Sequence, residues 1–208
     1  MRRSAGWLAL LCWVSAPLCA QDSRWAVGIS LGVSSFSGAS AGTGPQGEAT
    51  SFTPYRPTLW GVRASFGSRI RGGIAVAYGQ AGLAIRGAPT GEGGGDLLVI
   101  AENAYDLASF QAVGSTRLLR LRGGPSLRLW LGAELARWTA PGTPARSLAG
   151  GLGGLGLEFA LTRSLVASIE GELGLTPGSP FLAAELPDGT RTRSTWRRTL
   201  TGALAWRF

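Results

Sequence analysis

From residue 25 onward apolar side chains recur at every second position, the repeat of a strand with one apolar face. Trp25, Val27, Ile29, Leu31 and Val33 alternate with Ala26, Gly28, Ser30, Gly32 and Ser34. Trp60, Val62, Ala64 and Phe66 do the same against Gly61, Arg63 and Ser65, and Ile74, Val76 and Tyr78 against Ala75, Ala77 and Gly79. Later runs are Leu127–Leu129–Leu131, Leu155–Leu157–Phe159–Leu161 and Leu165–Ala167–Ile169–Gly171–Leu173–Leu175. The last is Leu200, Gly202, Leu204, Trp206 and Phe208. A further strand is needed between Val99 and Val113, but its facing is ambiguous. Ala108 and Phe110 point one way, Tyr105 and Leu107 the other.

The pattern predicts eight strands, near 25–35, 57–67, 72–84, 99–112, 117–131, 148–160, 165–175 and 197–208. Segments 36–56, 85–98, 132–147 and 176–196 read as long Gly/Pro/Ser/Thr-rich loops, and 68–71, 113–116 and 162–164 as tight turns. Long and short connections therefore alternate. Up-and-down membrane barrels sort their connections in this way, with short periplasmic turns and longer outer loops. Strands of about 11 residues fit the roughly 9–11 needed to cross a hydrocarbon core at a tilt. A soluble lipocalin-like barrel is the alternative, with its apolar face turned inward.

The second face favours the membrane barrel. It carries Gly28, Ser30, Gly32, Arg63, Gly79, Arg120, Arg122, Arg128, Glu158, Glu170, Glu172 and Arg207. Small and charged residues suit a narrow polar lumen, whereas glycine on a solvated outer face weakens a strand without compensating packing. Aromatic residues sort toward strand ends: Trp25, Phe66, Phe159, Trp206 and Phe208 at the periplasmic edge, Tyr55, Trp60, Trp130, Trp138 and Trp196 near the outer one. Two interfacial girdles are expected from that distribution. The fold expected is all-β: an eight-stranded antiparallel up-and-down transmembrane β-barrel.

Composition adds an address and removes chemistries. Arg2 and Arg3, then an apolar stretch from Trp7 to Leu18, then Cys19-Ala20 before Gln21, read as a signal peptide over 1–20 cleaved after Ala20, leaving 21–208 as the barrel domain. The mature chain, 208 − 20 = 188 residues, then has no Cys. The 208 residues contain no His, which excludes His-dependent relays and imidazole metal ligands. All 20 basic residues are Arg, spread along an exported chain, so nucleic acid is not expected as a partner. No cofactor and no metal are expected.

Three motifs bear on chemistry. Gly151-Leu-Gly-Gly-Leu-Gly156 matches G-x-G-x-x-G but lies within a strand, where small residues mark close packing of the wall. Glu170 and Glu172 imitate a glycosidase pair, yet neighbouring arginines make ion pairs the better reading. Ser34, Ser35 and Ser68 have no evident base, so the chain is expected not to be an enzyme. Arg63, Arg120, Arg122, Arg128, Glu158, Glu170 and Glu172 are expected to form a charge network filling the lumen, since charges buried there must be paired. Arg191, Arg193, Arg197 and Arg198, beside Trp196, form an outer basic cluster suited to lipopolysaccharide phosphates.

The terminal stretch Leu200-Thr-Gly202-Ala-Leu204-Ala-Trp206-Arg-Phe208 resembles the C-terminal β-signal of bacterial outer-membrane proteins. With the strand pattern before it, the chain resembles small eight-stranded barrels of the OmpA, OmpX and OmpW type. That resemblance implies location in the cell outer membrane, contact with its lipid and lipopolysaccharide, and handling by the barrel assembly machinery during biogenesis. A monomer is expected. The resemblance covers the barrel alone, so wall anchoring is not implied. The role expected is envelope integrity or surface interaction through the outer loops; the alternative is a narrow passive pore for small polar solutes.

Overall fold

The computed structural model describes residues 25–43, 49–87, 97–120, 124–182, 186 and 189–208. The signal-peptide segment expected over 1–20 lies outside them. Eight antiparallel strands form one closed barrel in chain order: β1 (Trp25–Thr43), β2 (Ala49–Gly67), β3 (Ile70–Gly87), β4 (Leu97–Arg120), β5 (Ser126–Thr139), β6 (Arg146–Ala160), β7 (Leu165–Thr176) and β8 (Arg191–Arg207). The seam pairs Val27 with Trp206, Ile29 with Leu204 and Leu31 with Gly202. At its base Phe208 N donates to Trp25 O over 3.0 Å. Closure leaves no unpaired edge, the condition a sheet must meet in a medium that cannot hydrogen-bond the backbone.

The pleat sorts side chains as the alternation predicts. Ile29, Leu31, Ile74, Val76, Leu131, Leu155, Ile169 and Leu200 are exposed on the outer wall, Leu131 to 64%. Apolar surface this continuous around a ring is a lipid-facing band. No helix among the described residues is long and apolar enough to cross a membrane. The ambiguous strand is now assigned: Ala108 and Phe110 face outward, and Tyr105 and Leu107 inward.

Three expectations need correction. The turn expected at 113–116 is strand, because β4 continues to Arg120 and its ladder pairs Gly114 with both Gly72 and Leu131. β5 begins only at Ser126, just after Gly124 and Pro125, which lie outside strand; Pro lacks the N–H a ladder needs. Arg120 therefore ends β4 rather than beginning β5. Much of the expected loops 36–56, 85–98 and 132–147 is also strand, since Ser-, Thr- and Gly-rich segments still pair, as Gly42 does with Thr50 and Thr50 with Gly87. The paired parts of these segments carry bulges. One sits between Tyr55 and Thr58, where Arg56 takes a positive φ of 33° beside Pro57. Lastly, Trp130 and Trp138 turn inward and are buried, so neither belongs to a girdle. They share the parity of Arg128, which faces the lumen.

The outer wall keeps a girdle near each end. Trp25 packs on Phe66 at a centroid distance of 4.9 Å near the short-turn edge, with Trp206 exposed beside them. Trp60 meets Tyr78 edge-on at 5.9 Å, and Trp196 is exposed high on β8.

Glycine in the G-x-G-x-x-G stretch has a packing reason. A Cβ on Gly154 would lie 2.2 Å from Gly171 O and 2.7 Å from Trp130 Cζ2, so the indole lies against a wall that admits no side chain. Around Gly171, which faces outward, a Cβ would meet nothing within 4 Å. Gly154→Val is therefore expected to lower the urea midpoint of the refolded barrel by about 1–3 kcal/mol of stability or to block refolding. Gly171→Val is expected to refold as wild type. Tryptophan-fluorescence unfolding in detergent micelles checks the pair.

Candidate functional site

The inward residues of the eight strands build the lumen in layers. At the short-turn end Glu158 on β6 receives three arginines from three other strands. Arg71 Nη1 lies 2.6 Å from Oε1, Arg207 Nη2 3.2 Å from Oε2, and Arg128 Nε 3.4 Å from Oε1. Arg128 reaches down as well: Nη2 donates to Ser68 O at 2.6 Å and Nη1 to Arg69 O at 3.3 Å. It thereby ties β5 to the β2–β3 turn.

Above this layer Arg63 Nη1 donates to Glu170 Oε1 at 2.6 Å, and Ser168 Oγ donates to the same oxygen at 2.7 Å. A cavity of about 150 Å³ opens around this pair, bordered by Ala75, Gln111, Ser115 and Thr201.

The third layer is the most enclosed. Arg197 Nη1 donates to Glu134 Oε1 at 2.5 Å, and Nη2 donates to Glu172 Oε1. Ser109 Oγ donates to Glu134 as well. The Arg197 and Glu134 side chains are only 6% and 5% exposed. One guanidinium thus joins β5, β7 and β8 across the lumen, the forked geometry that arginine offers carboxylates. Beside it Ser34 Oγ and Thr199 Oγ1 are 2.9 Å apart, linking β1 to β8.

The uppermost layer is apolar, which the alternation had not announced. Phe52, Leu59, Tyr105, Leu107 and Trp138 turn inward with Ala39, Ala81 and Ala136. Phe181, from the segment following β7, inserts among them and is 1% exposed. Its ring meets Tyr105 at 5.6 Å, and Trp138 meets Phe36 at 5.5 Å. Backbone contacts hold the insert: Arg146 Nη1 donates to Phe181 O at 2.5 Å, and Thr195 Oγ1 to Gly178 O at 2.7 Å. The segment 176–196, expected as a long loop, therefore carries the stopper of the upper lumen.

The expected site residues distribute as follows. Arg63, Arg128, Glu158, Glu170 and Glu172 make ion pairs in the lumen. Arg120 is exposed at the end of β4 and makes no ion pair among the described residues, and Arg122 lies outside them. Arg197 must be removed from the outer basic cluster, because its parity on β8 points it inward and it is 5% exposed. Arg191, Arg193 and Arg198 remain exposed, with Arg198 on the outer face two residues from Trp196. Missed by sequence reasoning were Glu134, hidden in a segment taken for loop, and Arg71, taken for turn. Among the described residues no group of three or more His, Cys, Asp or Glu could hold a metal ion.

No protein-family model matches the chain, and no curated protein matches it in sequence. Solved structures do match in shape. Neisserial surface protein A (NspA) superimposes with a TM-score of 0.57 at 10% identity, over 88% of this chain and 97% of that one. The outer-membrane protein OprG from Pseudomonas aeruginosa matches with a TM-score of 0.49 at 8% identity, over 89% and 96%. The attachment invasion locus protein Ail of Yersinia pestis matches at 0.43 and 15% identity, over 89% and 99%. The fold is that of a small bacterial outer-membrane β-barrel.

Removing Arg197 strands two buried carboxylates. Arg197→Ala is expected to cost about 3–5 kcal/mol in urea unfolding of the refolded protein. Its neighbour Arg198→Ala, on the outer face, is expected to unfold at the wild-type midpoint. Equal losses at the two positions would contradict the inward placement.

Proposed function

We propose that the protein is a non-enzymatic barrel of the bacterial outer membrane that serves envelope integrity or surface interaction through its outer end. The observation that carries this reading is the apolar stopper of Phe52, Leu107, Trp138 and Phe181 lying above the Arg197–Glu134–Glu172 belt. A lumen filled at two successive levels favours a sealed scaffold over the narrow passive pore. The buried Ser109 and its carboxylate partner lie beneath that stopper, at 1% and 7% exposure, out of reach of a substrate.

Contact with the surrounding lipid and lipopolysaccharide belongs to the same reading. Arg191, Arg193 and Arg198 lie exposed on β8 around the interfacial Trp196 and can pair with phosphate. Arg137, outward on β5, adds a charge of the same kind. The outward row Leu200, Gly202, Leu204 and Trp206, with Phe208 closing it, borders the seam and serves as the recognition strand for the assembly machinery. The barrel acts as a monomer in this reading.

Two measurements test it. In planar bilayers the purified protein is expected to be silent; steady conductance steps in every preparation would replace the sealed scaffold with the pore. Lipopolysaccharide is expected to raise the melting temperature of the wild type, and less so that of the Arg191→Ala/Arg193→Ala/Arg198→Ala variant. An unchanged rise would remove the phosphate contacts.

A further inference from the structure

The short-turn mouth of the barrel holds more positive charge than it has partners for. A recess of about 240 Å³ opens there, lined by Arg71, Arg117, Arg120 and Arg207 with Glu158 and Ser126. That is several times the roughly 30 Å³ one water occupies in the liquid. Arg128 borders the same carboxylate from above. Five arginines thus surround one glutamate, a balance of 5 − 1 = +4.

Glu158 is already used. Its two oxygens serve Arg71, Arg128 and Arg207, and among the described residues no second carboxylate lines the recess. Among the described residues the Arg117 and Arg120 side chains make no ion pair. Arg117 and Arg128 moreover sit directly opposite each other on β4 and β5. Like charges so placed destabilise a sheet. Arg128 Nε, above the recess, is also short of a hydrogen-bond partner. Its residue is 4% exposed, and although Glu158 lies within ion-pair distance, this N–H donates no hydrogen bond. The unopposed pair of Arg117 and Arg120 in the recess is a cost that a bound oxyanion would remove.

We propose that this recess is a binding site for a small multivalent oxyanion of the phosphate class, held chiefly by Arg117 and Arg120 with Arg71 and Arg207 at its walls. The site faces the compartment on the short-turn side, the periplasm, and is separate from the sealed outer end. A phosphate group can reach it from solution, as free diphosphate, or from the headgroup of an inner-leaflet anionic lipid. In either case Arg supplies paired N–H donors to the phosphate oxygens.

The test uses the full refolded barrel in uncharged detergent at low ionic strength, titrated calorimetrically with diphosphate. Wild type is expected to bind one equivalent saturably. Arg117→Gln/Arg120→Gln is expected to bind at least tenfold more weakly, while its heat-modifiable migration shows that it still folds. Arg163→Gln, in the β7-proximal turn on the same side but not lining the recess, controls for general basicity and is expected to bind as wild type. No saturable binding by the wild type, or equal weakening by Arg163→Gln, overturns the site. A parallel titration with dihexanoyl phosphatidic acid identifies the source of the phosphate. Displacement of diphosphate at lower concentration than diphosphate itself requires assigns the site to a lipid headgroup, and failure to displace assigns it to a free anion.

Discussion

A polypeptide in hydrocarbon must satisfy its own backbone, and every other feature of this protein follows from the way it does so. The ring closes through β1 and β8, so each strand has two neighbours along its membrane-crossing part. Once closed, the pleat leaves each side chain one of two destinations. Along the mid-height of the wall most leucine, isoleucine and valine and the interfacial aromatics go to lipid, and the paired charges and much of the serine go to the lumen. The outer wall then needs nothing further, because its solvent is the membrane. The lumen is where the remaining physical difficulty lies.

Eight strands enclose a space just wide enough for side chains to fill, and charges put there are far from bulk water. The protein answers with layers, each matched to its depth. Glu158 collects arginines at the mouth, Arg63 meets Glu170 at mid-height, and Arg197 bridges Glu134 and Glu172 where enclosure is greatest. Above them the polar logic gives way to an ordinary apolar core centred on Phe181. The two ends therefore differ in kind: the outer end is stoppered by packing, and the periplasmic end is open and basic.

Much of this was legible from residue parity. Strand number, order and the facing of β1, β3, β6 and β7 follow from alternation alone, since one face is almost wholly apolar. Where the apolar signal stops, reading stopped with it. Gly114, Ser115 and Thr116 look like turn chemistry, yet their neighbours keep them in the ladder; pairing with β3 and β5 overrides local preference. Glu134 was hidden for a related reason, because β5 runs past its leucines into Glu134, Ala136 and Trp138. The parity of Arg128 and Trp130, carried four residues further, points that carboxylate inward. Arg197 was available in the same way: with Leu200 and Gly202 outward, an odd-numbered residue between Thr195 and Arg207 faces the lumen, and the register shifts only beyond Thr195. Phe181 carried no such signal, since it sits on a non-strand insert whose destination is set by the hollow it fills.

The closed, lipid-facing ring is the claim on which the lumen layers rest, and the migration of unboiled and boiled protein in SDS gels tests it most directly. Protein taken from the outer-membrane fraction is expected to run at two apparent sizes, the unboiled form being the intact barrel that SDS does not open. Recovery as soluble periplasmic protein with a single boiled and unboiled position would contradict the account and return the apolar face to the inside of a soluble barrel.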